Sequence, residues 1–182
     1  MPTPKNKKLT AAEKQIMYRD ARITGKYDNI WQTVGKCCFC DMRDKYIFHE
    51  ENGIVMTVPL YAYIDGQILI VPRRHVRSVK DLTLEEWETI RKFMYLAKKL
   101  IREVHGIKGV QYIQKDGATA QATVPDHIHF QVMPFDAPDL SIWNYRALKN
   151  TPIENAQLYH DQSAKLTKLA KRFSAKYQES LE

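Results

Sequence analysis

His127-Ile128-His129-Phe130-Gln131-Val132 is the stretch that decides both the fold and the chemistry of this chain. In a β-strand, successive side chains point to opposite faces of the sheet, so the three apolar residues of this stretch share one face. A face this apolar is predicted to pack against the core. The two histidines and the glutamine then share the other face, each about 7 Å from the next at a rise of roughly 3.3 Å per residue.

Histidine is a suitable nucleophile for phosphorus because its ordinary pKa of about 6.5 leaves much of it neutral near pH 7. An attack by His129 would form a covalent intermediate and divide one difficult displacement into two easier steps. Gln131 can donate amide hydrogens to a phosphoryl oxygen. A histidine pair on a strand is also compatible with an ordinary surface pair or a metal site.

Strand-like runs occur before and after a long helical segment. Residues 54–58 and 67–71 are apolar or β-branched and are predicted to be neighbouring strands. Residues 109–114 predict a third strand and residues 127–133 a fourth. Strands that follow one another with one intervening helix favour an α+β fold on a mainly antiparallel sheet.

The predicted helix runs from Leu84 to His105, begins with a capping box of Thr83 and Glu86, and ends at Gly106. Its apolar residues recur every three or four positions, so one face should pack on the sheet. This predicted apolar face consists of Trp87, Ile90, Met94, Ala97, Ile101 and Val104.

Both ends of the chain have helical patterns of their own. Residues 9–24 begin with a capping box of Thr10 and Glu13, and residues from about 154 to 177 have apolar positions at helical spacing. We therefore expect a basic helical extension over 1–36, one catalytic domain over 37–140 and a C-terminal helical extension over 141–182.

The net charge of +7 comes mostly from residues 1–36. Such a segment favours polyanions, but a solvated basic helix is the more ordinary interpretation, so nucleic acid is the less favoured partner. No apolar run approaches the roughly 18 residues of a membrane span, and the charged first residues are not followed by an apolar stretch. These features predict a soluble, cytoplasmic protein with no membrane partner.

The three cysteines, Cys37, Cys38 and Cys40, are too close together to form the framework of a disulfide-rich secreted fold. Cys37 and Cys40 have the Cys-x-x-Cys spacing that occupies two corners of a tetrahedral metal site. Two alternatives are a pair of buried reduced thiols, with Cys38 as a small core residue, and a redox pair.

These motifs together resemble the histidine-triad superfamily, whose signature is His-x-His-x-His, or His-x-His-x-Gln in transferase members. The match here is 127–134, and residues 60–76 resemble the strand pair of the family that ends in Pro-x-x-His, with His75 as the histidine. Residues 81–83 also fit the branch of diadenosine polyphosphate phosphorylases and hydrolases. The resemblance covers roughly residues 37 to 134.

The resemblance implies that His129 becomes nucleotidylated and that Gln131 binds a phosphate oxygen. It also implies that Gln121 and Thr123, in the loop before the motif, contact phosphate. Some members hold zinc with two cysteines and two histidines, which here would be Cys37, Cys40, His75 and His127. Such a site has four protein ligands and would be structural. The resemblance further implies a homodimer.

Two positions depart from the family pattern. Pro59 lies near the place where relatives have Asn or Asp for the ribose hydroxyls, and proline offers no side-chain hydrogen bond. The usual Gly-Gln-Ser type of phosphate loop is replaced by Ala-Gln-Ala-Thr over 120–123.

The sequence therefore predicts a nucleotidyl transferase or hydrolase that acts on nucleotides such as dinucleoside polyphosphates. The alternative is a catalytically inactive nucleotide- or RNA-binding protein, in which the basic segments 5–36 and 165–176 contact phosphates. Gln131 in place of a third histidine favours transfer to phosphate or another acceptor over hydrolysis.

Overall fold

The computed structural model describes residues 10–24, 36–117, 124, 127–136 and 150–179. The strands in these parts of the chain are β1 (Ile47–Glu51), β2 (Ile54–Thr57), β3 (Ile68–Pro72), β4 (Val110–Gln114) and β5 (Phe130–Pro134). The α-helices there are α1 (Ala11–Ile23), α2 (Leu84–His105), α3 (Pro152–His160) and α4 (Ser163–Glu179). The strands form one sheet in the order β1-β2-β3-β5-β4, and every neighbouring pair is antiparallel. The predicted α+β fold with a mainly antiparallel sheet is confirmed.

The main hydrophobic core lies between α2 and one face of the sheet. Helix α2 contacts β2, β3 and β5, which are the three inner strands. The buried side chains of this layer include Met56, Ile70, Phe93, Ile128 and Val132. Strand β5 pairs with β3 on one side and with β4 on the other, and it packs against α2, so these three neighbours fix which of its side chains face the core.

Helix α2 has the predicted bounds. Thr83 accepts a hydrogen bond from the backbone of Glu86, the Glu86 side chain accepts from the backbone of Thr83, and Gly106 ends the helix in the left-handed conformation at φ 73°. The predicted apolar face was partly wrong, because Val104 is 71% and Trp87 40% exposed. The buried stripe is centred on Ile90, Phe93, Ala97 and Ile101.

The start of α2 is also tied to the chain that leaves β3. Arg74 donates to Glu86 at 2.7 Å. Burial alone raises the pKa of the Glu86 carboxyl, but the hydrogen bonds from Arg74 and Thr83 outweigh it and hold that pKa below its ordinary value. The capping box therefore anchors α2 to the sheet as well as beginning the helix.

Strand β1 was not predicted from the sequence. It joins β2 through the two-residue turn Asn52-Gly53, in which both residues have positive φ, 47° and 70°. Such a turn matches the twist of the flanking strands, and Asn-Gly is its most favoured sequence. The hairpin places Glu51 opposite Ile54 and adds an edge strand to the sheet.

The terminal segments contain helices, as predicted. Thr10 and Glu13 form the predicted capping box at the start of α1. Helix α1 ends at Ile23, within the predicted helical segment 9–24. The expected C-terminal helix is two helices, α3 and α4, separated by a turn at 161–162. No helix in the described parts of the chain is long and apolar enough to cross a membrane.

Thr83→Ala is expected to lower the free energy of unfolding by about 1 kcal/mol, because it removes the side-chain cap of α2. The measurement is the urea midpoint of the cooperative transition. Thr10→Ala is the matched control, since it removes the same cap from α1, where Ile16 and Met17 are exposed. If Thr10→Ala lowered the urea midpoint as much as Thr83→Ala does, a special role for the α2 cap would be contradicted.

Candidate active site and metal cluster

The stretch 127–132 divides its side chains as predicted, although the regular strand begins later than expected. Strand β5 starts at Phe130 instead of residue 127, and residues 127–129 form an extended approach in which the Ile128 N–H donates to the Val76 carbonyl at 2.7 Å. Ile128, Phe130 and Val132 are buried in the α2 layer. His127, His129 and Gln131 alternate with them and therefore belong to the opposite face.

Much of this opposite face is covered by other parts of the protein. His127 is fully buried and Gln131 is 8% exposed, whereas His129 is half-buried. A small second core, separate from the α2 layer, is formed by Val55, Leu69 and Val71. Phe39, Met42 and Ile47 pack against it. Of the three motif side chains on this face, His127 is therefore the most deeply buried.

His129 is held through one ring nitrogen. Its Nδ1 lies 3.1 Å from the carbonyl oxygen of His127. Because a carbonyl oxygen can only accept, Nδ1 carries the proton in the neutral ring, and Nε2 keeps its lone pair. Burial lowers the pKa of His129 below its ordinary value, although the same hydrogen bond opposes this shift. The arrangement produces a neutral imidazole with a nucleophilic Nε2.

Phe39 contacts both histidines of the motif. Its ring centroid lies 4.8 Å from that of His129 and 5.6 Å from that of His127. The residue lies between Cys38 and Cys40, so the cysteine loop itself supplies a wall of the site. Such ring contacts restrict the rotation of His129.

The structure brings Cys37, Cys40, His75 and His127 together. Their ligand atoms all lie within 4.8 Å of one another. The Sγ of Cys37 is 3.2 Å from Nδ1 of His127, and the Sγ of Cys40 is 3.2 Å from Nδ1 of His75. Tetrahedral zinc, with bonds of about 2.3 Å to sulfur and about 2.0 Å to nitrogen, requires ligand atoms at such separations. Two thiolates and two imidazoles are also a donor set that suits zinc.

His127 has the correct nitrogen directed at the sulfurs. Its Nε2 lies 2.9 Å from the Pro72 carbonyl, so Nε2 carries the proton and Nδ1 is available as a ligand. Burial lowers the pKa of His127, which favours the neutral ring that a metal requires. The four residues therefore fit a closed metal site.

Cys38 does not belong to this cluster. It is half-buried, and burial raises the pKa of its thiol to about 12. Its thiol therefore stays protonated near neutral pH, and Cys38 is not among the buried residues of either core cluster. Cys37 and Cys40 therefore have ligand atoms in the cluster, whereas the thiol of Cys38 does not.

Two predicted contacts and one departure from the family pattern remain to be located. Gln121 and Thr123, expected to bind phosphate, lie outside the described residues. Pro59 lines an apolar cavity of about 350 Å³ together with Ile68 and Leu100, and it contributes no polar side-chain group there.

Sequence reasoning missed three residues near the motif. These are Phe39, described above, and two polar residues, Gln67 and Lys115. Gln67 Nε2 donates to Gln131 Oε1 at 3.0 Å. Lys115 follows Gln114, which pairs with Phe130, and its positive charge contributes to lowering the pKa of His129. The strand register would have indicated Lys115, had the pairing of β4 with β5 been known.

An antiparallel sheet with one packed helix, and a histidine motif that leads into an inner strand, defines an α+β domain of histidine-triad type. The HIT domain matches residues 42–137, more than half of the chain, and the chain therefore belongs to the HIT domain family.

Named relatives include a bis(5'-adenosyl)-triphosphatase of Dictyostelium discoideum, which is 29% identical over 93 residues that cover 51% of this chain and 62% of the relative. An AP-4-A phosphorylase of Mycobacterium tuberculosis is 31% identical over 93 residues that cover 47% of this chain and 48% of the relative. The chain thus spans about half to six-tenths of the length of these relatives.

A solved structure of a HIT family protein from Bacillus anthracis has a TM-score of 0.59 to this chain. It is 20% identical and covers 71% of this chain and 96% of that one. At this identity the likeness shows the fold.

Proposed function

We propose that the chain is a nucleotidyl transferase or hydrolase that acts on dinucleoside polyphosphates through a nucleotidyl-His129 intermediate. The observation that carries this proposal is the His129 ring, whose Nδ1 is bound to the His127 carbonyl and whose Nε2 keeps its lone pair. The names of the two relatives support the substrate class. We also propose that the chain divides into an extension over 1–36, a catalytic domain over 37–140 and an extension over 141–182. The matched segment 42–137 falls within the proposed catalytic domain.

In the first step, Nε2 of His129 attacks the α-phosphorus and forms a P–N bond. The bond from that phosphorus to the bridging oxygen breaks, and the rest of the substrate leaves as a nucleotide that keeps this oxygen. The ring becomes cationic, and the His127 carbonyl stabilises that charge through the Nδ1–H bond. Donors directed at the phosphoryl oxygens stabilise the transition state, and Gln131 is our candidate donor.

In the second step, phosphate or water attacks the same phosphorus and the P–N bond breaks. His129 recovers the lone pair on Nε2, and the proton of the attacking water is released to solvent. Phosphate as acceptor yields a nucleoside diphosphate, whereas water yields a nucleoside monophosphate. The proposed preference is for phosphate or another acceptor.

His129→Ala is expected to abolish covalent labelling by radiolabelled diadenosine tetraphosphate, because it removes the attacking nitrogen. Wild type should carry acid-labile label, measured after denaturation and filtration. His160→Ala, an exposed histidine on α3, is the control and should label like wild type. If wild type and both variants bound nucleotide but none was labelled or turned it over, the result would instead favour the alternative, a catalytically inactive binding protein that uses its basic extensions.

We further propose that Cys37, Cys40, His75 and His127 hold one structural zinc ion. When bound, zinc would join the cysteine loop, through Cys37 and Cys40, to His75 after β3 and to His127 before β5, with no coordination position left for substrate. The loop would thereby keep Phe39 against His129. The homodimer and the cytoplasmic location remain predictions from the sequence.

Elemental analysis should find zinc near one per chain in wild type. Cys40→Ser is expected to lose the metal and lower the thermal midpoint, because ligand binding to the folded state contributes to stability. Cys38→Ser is the matched control, because it makes the same change two positions before Cys40 in the same loop. This variant should keep its zinc. Full stability without metal in Cys40→Ser would contradict a structural ion.

Gln131→His should raise hydrolysis relative to phosphorolysis if residue 131 determines the acceptor. With diadenosine tetraphosphate and inorganic phosphate, the ratio of AMP to ADP among the products measures this choice. An unchanged ratio would remove the reason for preferring transfer to phosphate.

A further inference from the structure

Gln67 and Gln131 form a buried chain of hydrogen bonds that begins at a backbone donor. The Tyr63 N–H donates to Oε1 of Gln67 at 2.7 Å, and Nε2 of Gln67 donates to Oε1 of Gln131 at 3.0 Å. Gln67 is 4% and Gln131 8% exposed. Two buried amides are thus connected in series.

The backbone donor determines the orientation of both amides. A backbone N–H can only donate, so the atom of Gln67 that faces it must be the oxygen. The NH₂ group of Gln67 is then directed at Gln131, which must present its own oxygen to accept. Reversing either amide would set two donors or two acceptors against each other and leave buried polar groups without partners.

We propose that Gln67 is a positioning residue that fixes the Gln131 amide with its NH₂ group available to the phosphoryl group transferred to His129. This inference rests on the proposed function. Gln131 lies two residues from His129 on the same face of the extended chain, so the freed NH₂ belongs to the side of the sheet where phosphorus would be attacked.

Orientation matters because the two ends of an amide have opposite effects on a phosphoryl group. The NH₂ end donates to an anionic oxygen and stabilises the charge that develops in the transition state. The carbonyl end would repel the same oxygen. Without the donor of Gln67, no hydrogen bond within this pair favours one orientation of the Gln131 amide over the other.

The test is Gln67→Glu, which keeps nearly the same shape and removes the donor. The new carboxylate accepts from the Tyr63 N–H and from Gln131, so Gln131 must rotate and present its oxygen to substrate. At alkaline pH, where the carboxyl is ionised, kcat should fall by about 100-fold, the typical effect of losing one transition-state donor, with a smaller change in KM.

Two further variants separate positioning from general damage. Gln67→Met leaves Gln131 free to adopt either orientation and should lower kcat less than Gln67→Glu does. In a Gln131→Ala background, Gln67→Glu should cause little additional loss, because the amide it reverses is absent. Gln111→Glu on β4, opposite Met133, is the matched control for added negative charge and should keep kcat within about twofold.

Amide hydrogen exchange reads the orientation without any turnover. In wild type the side-chain NH₂ of Gln67 should be protected and that of Gln131 should exchange faster, whereas Gln67→Glu should protect the NH₂ of Gln131. Wild-type kcat in Gln67→Glu, or unprotected Gln67 in wild type, would overturn the positioning role while the nucleotidyl chemistry stands. Absence of label on wild-type His129 would overturn the proposed function, and the exchange pattern would still decide the orientation.

Discussion

The packing of β5 against α2 is the constraint on which the site depends. Ile128, Phe130 and Val132 occupy the core between α2 and the sheet, and β5 is held between β3 and β4. A slip of one residue would move all three into the opposite layer, so the register is strongly specified. The same register places His127, His129 and Gln131 on the other face. The hydrophobic core therefore selects which residues are available for chemistry.

Two histidines only two residues apart bind backbone carbonyls through different ring nitrogens. His127 binds the Pro72 carbonyl through Nε2 and directs Nδ1 at the cysteine sulfurs. His129 binds the His127 carbonyl through Nδ1 and keeps the lone pair of Nε2. Carbonyl oxygens thus determine the tautomer of each ring, and with it the proposed division between a metal ligand and a nucleophile. Phe39 connects the two parts, because it comes from the cysteine loop and contacts both rings.

The sequence predicted the elements that local chemistry specifies. Helix α2 had a capping box at Thr83 and a terminal Gly106, and both are in place. The paired strands β2 and β3 were apolar runs of strand length. Strand β1 carries two glutamates and did not stand out, although Asn52-Gly53 was a usable hairpin signal. The spacing of Cys37 and Cys40 predicted two ligands of the cluster, whereas His75 and His127 were added only because a resemblance supplied them.

What the sequence could not predict depends on contacts between distant segments. The start of β5 at Phe130 follows from where β3 and β4 offer partners, and the burial of His127 follows from the cysteine loop above it. Gln67 and Gln131 are 64 positions apart and have no shared motif, so their hydrogen bond appears only in the folded chain.

The most direct test of the account is the protonation of the His129 ring in the folded protein. A long-range ¹H–¹⁵N spectrum of uniformly ¹⁵N-labelled protein distinguishes the two neutral tautomers and a metal-bound nitrogen. The account predicts a proton on Nδ1 and an unprotonated, unmetallated Nε2 for His129, beside a His127 protonated on Nε2. A His129 protonated on Nε2 in its neutral form, or coordinated to metal through that nitrogen, would contradict it.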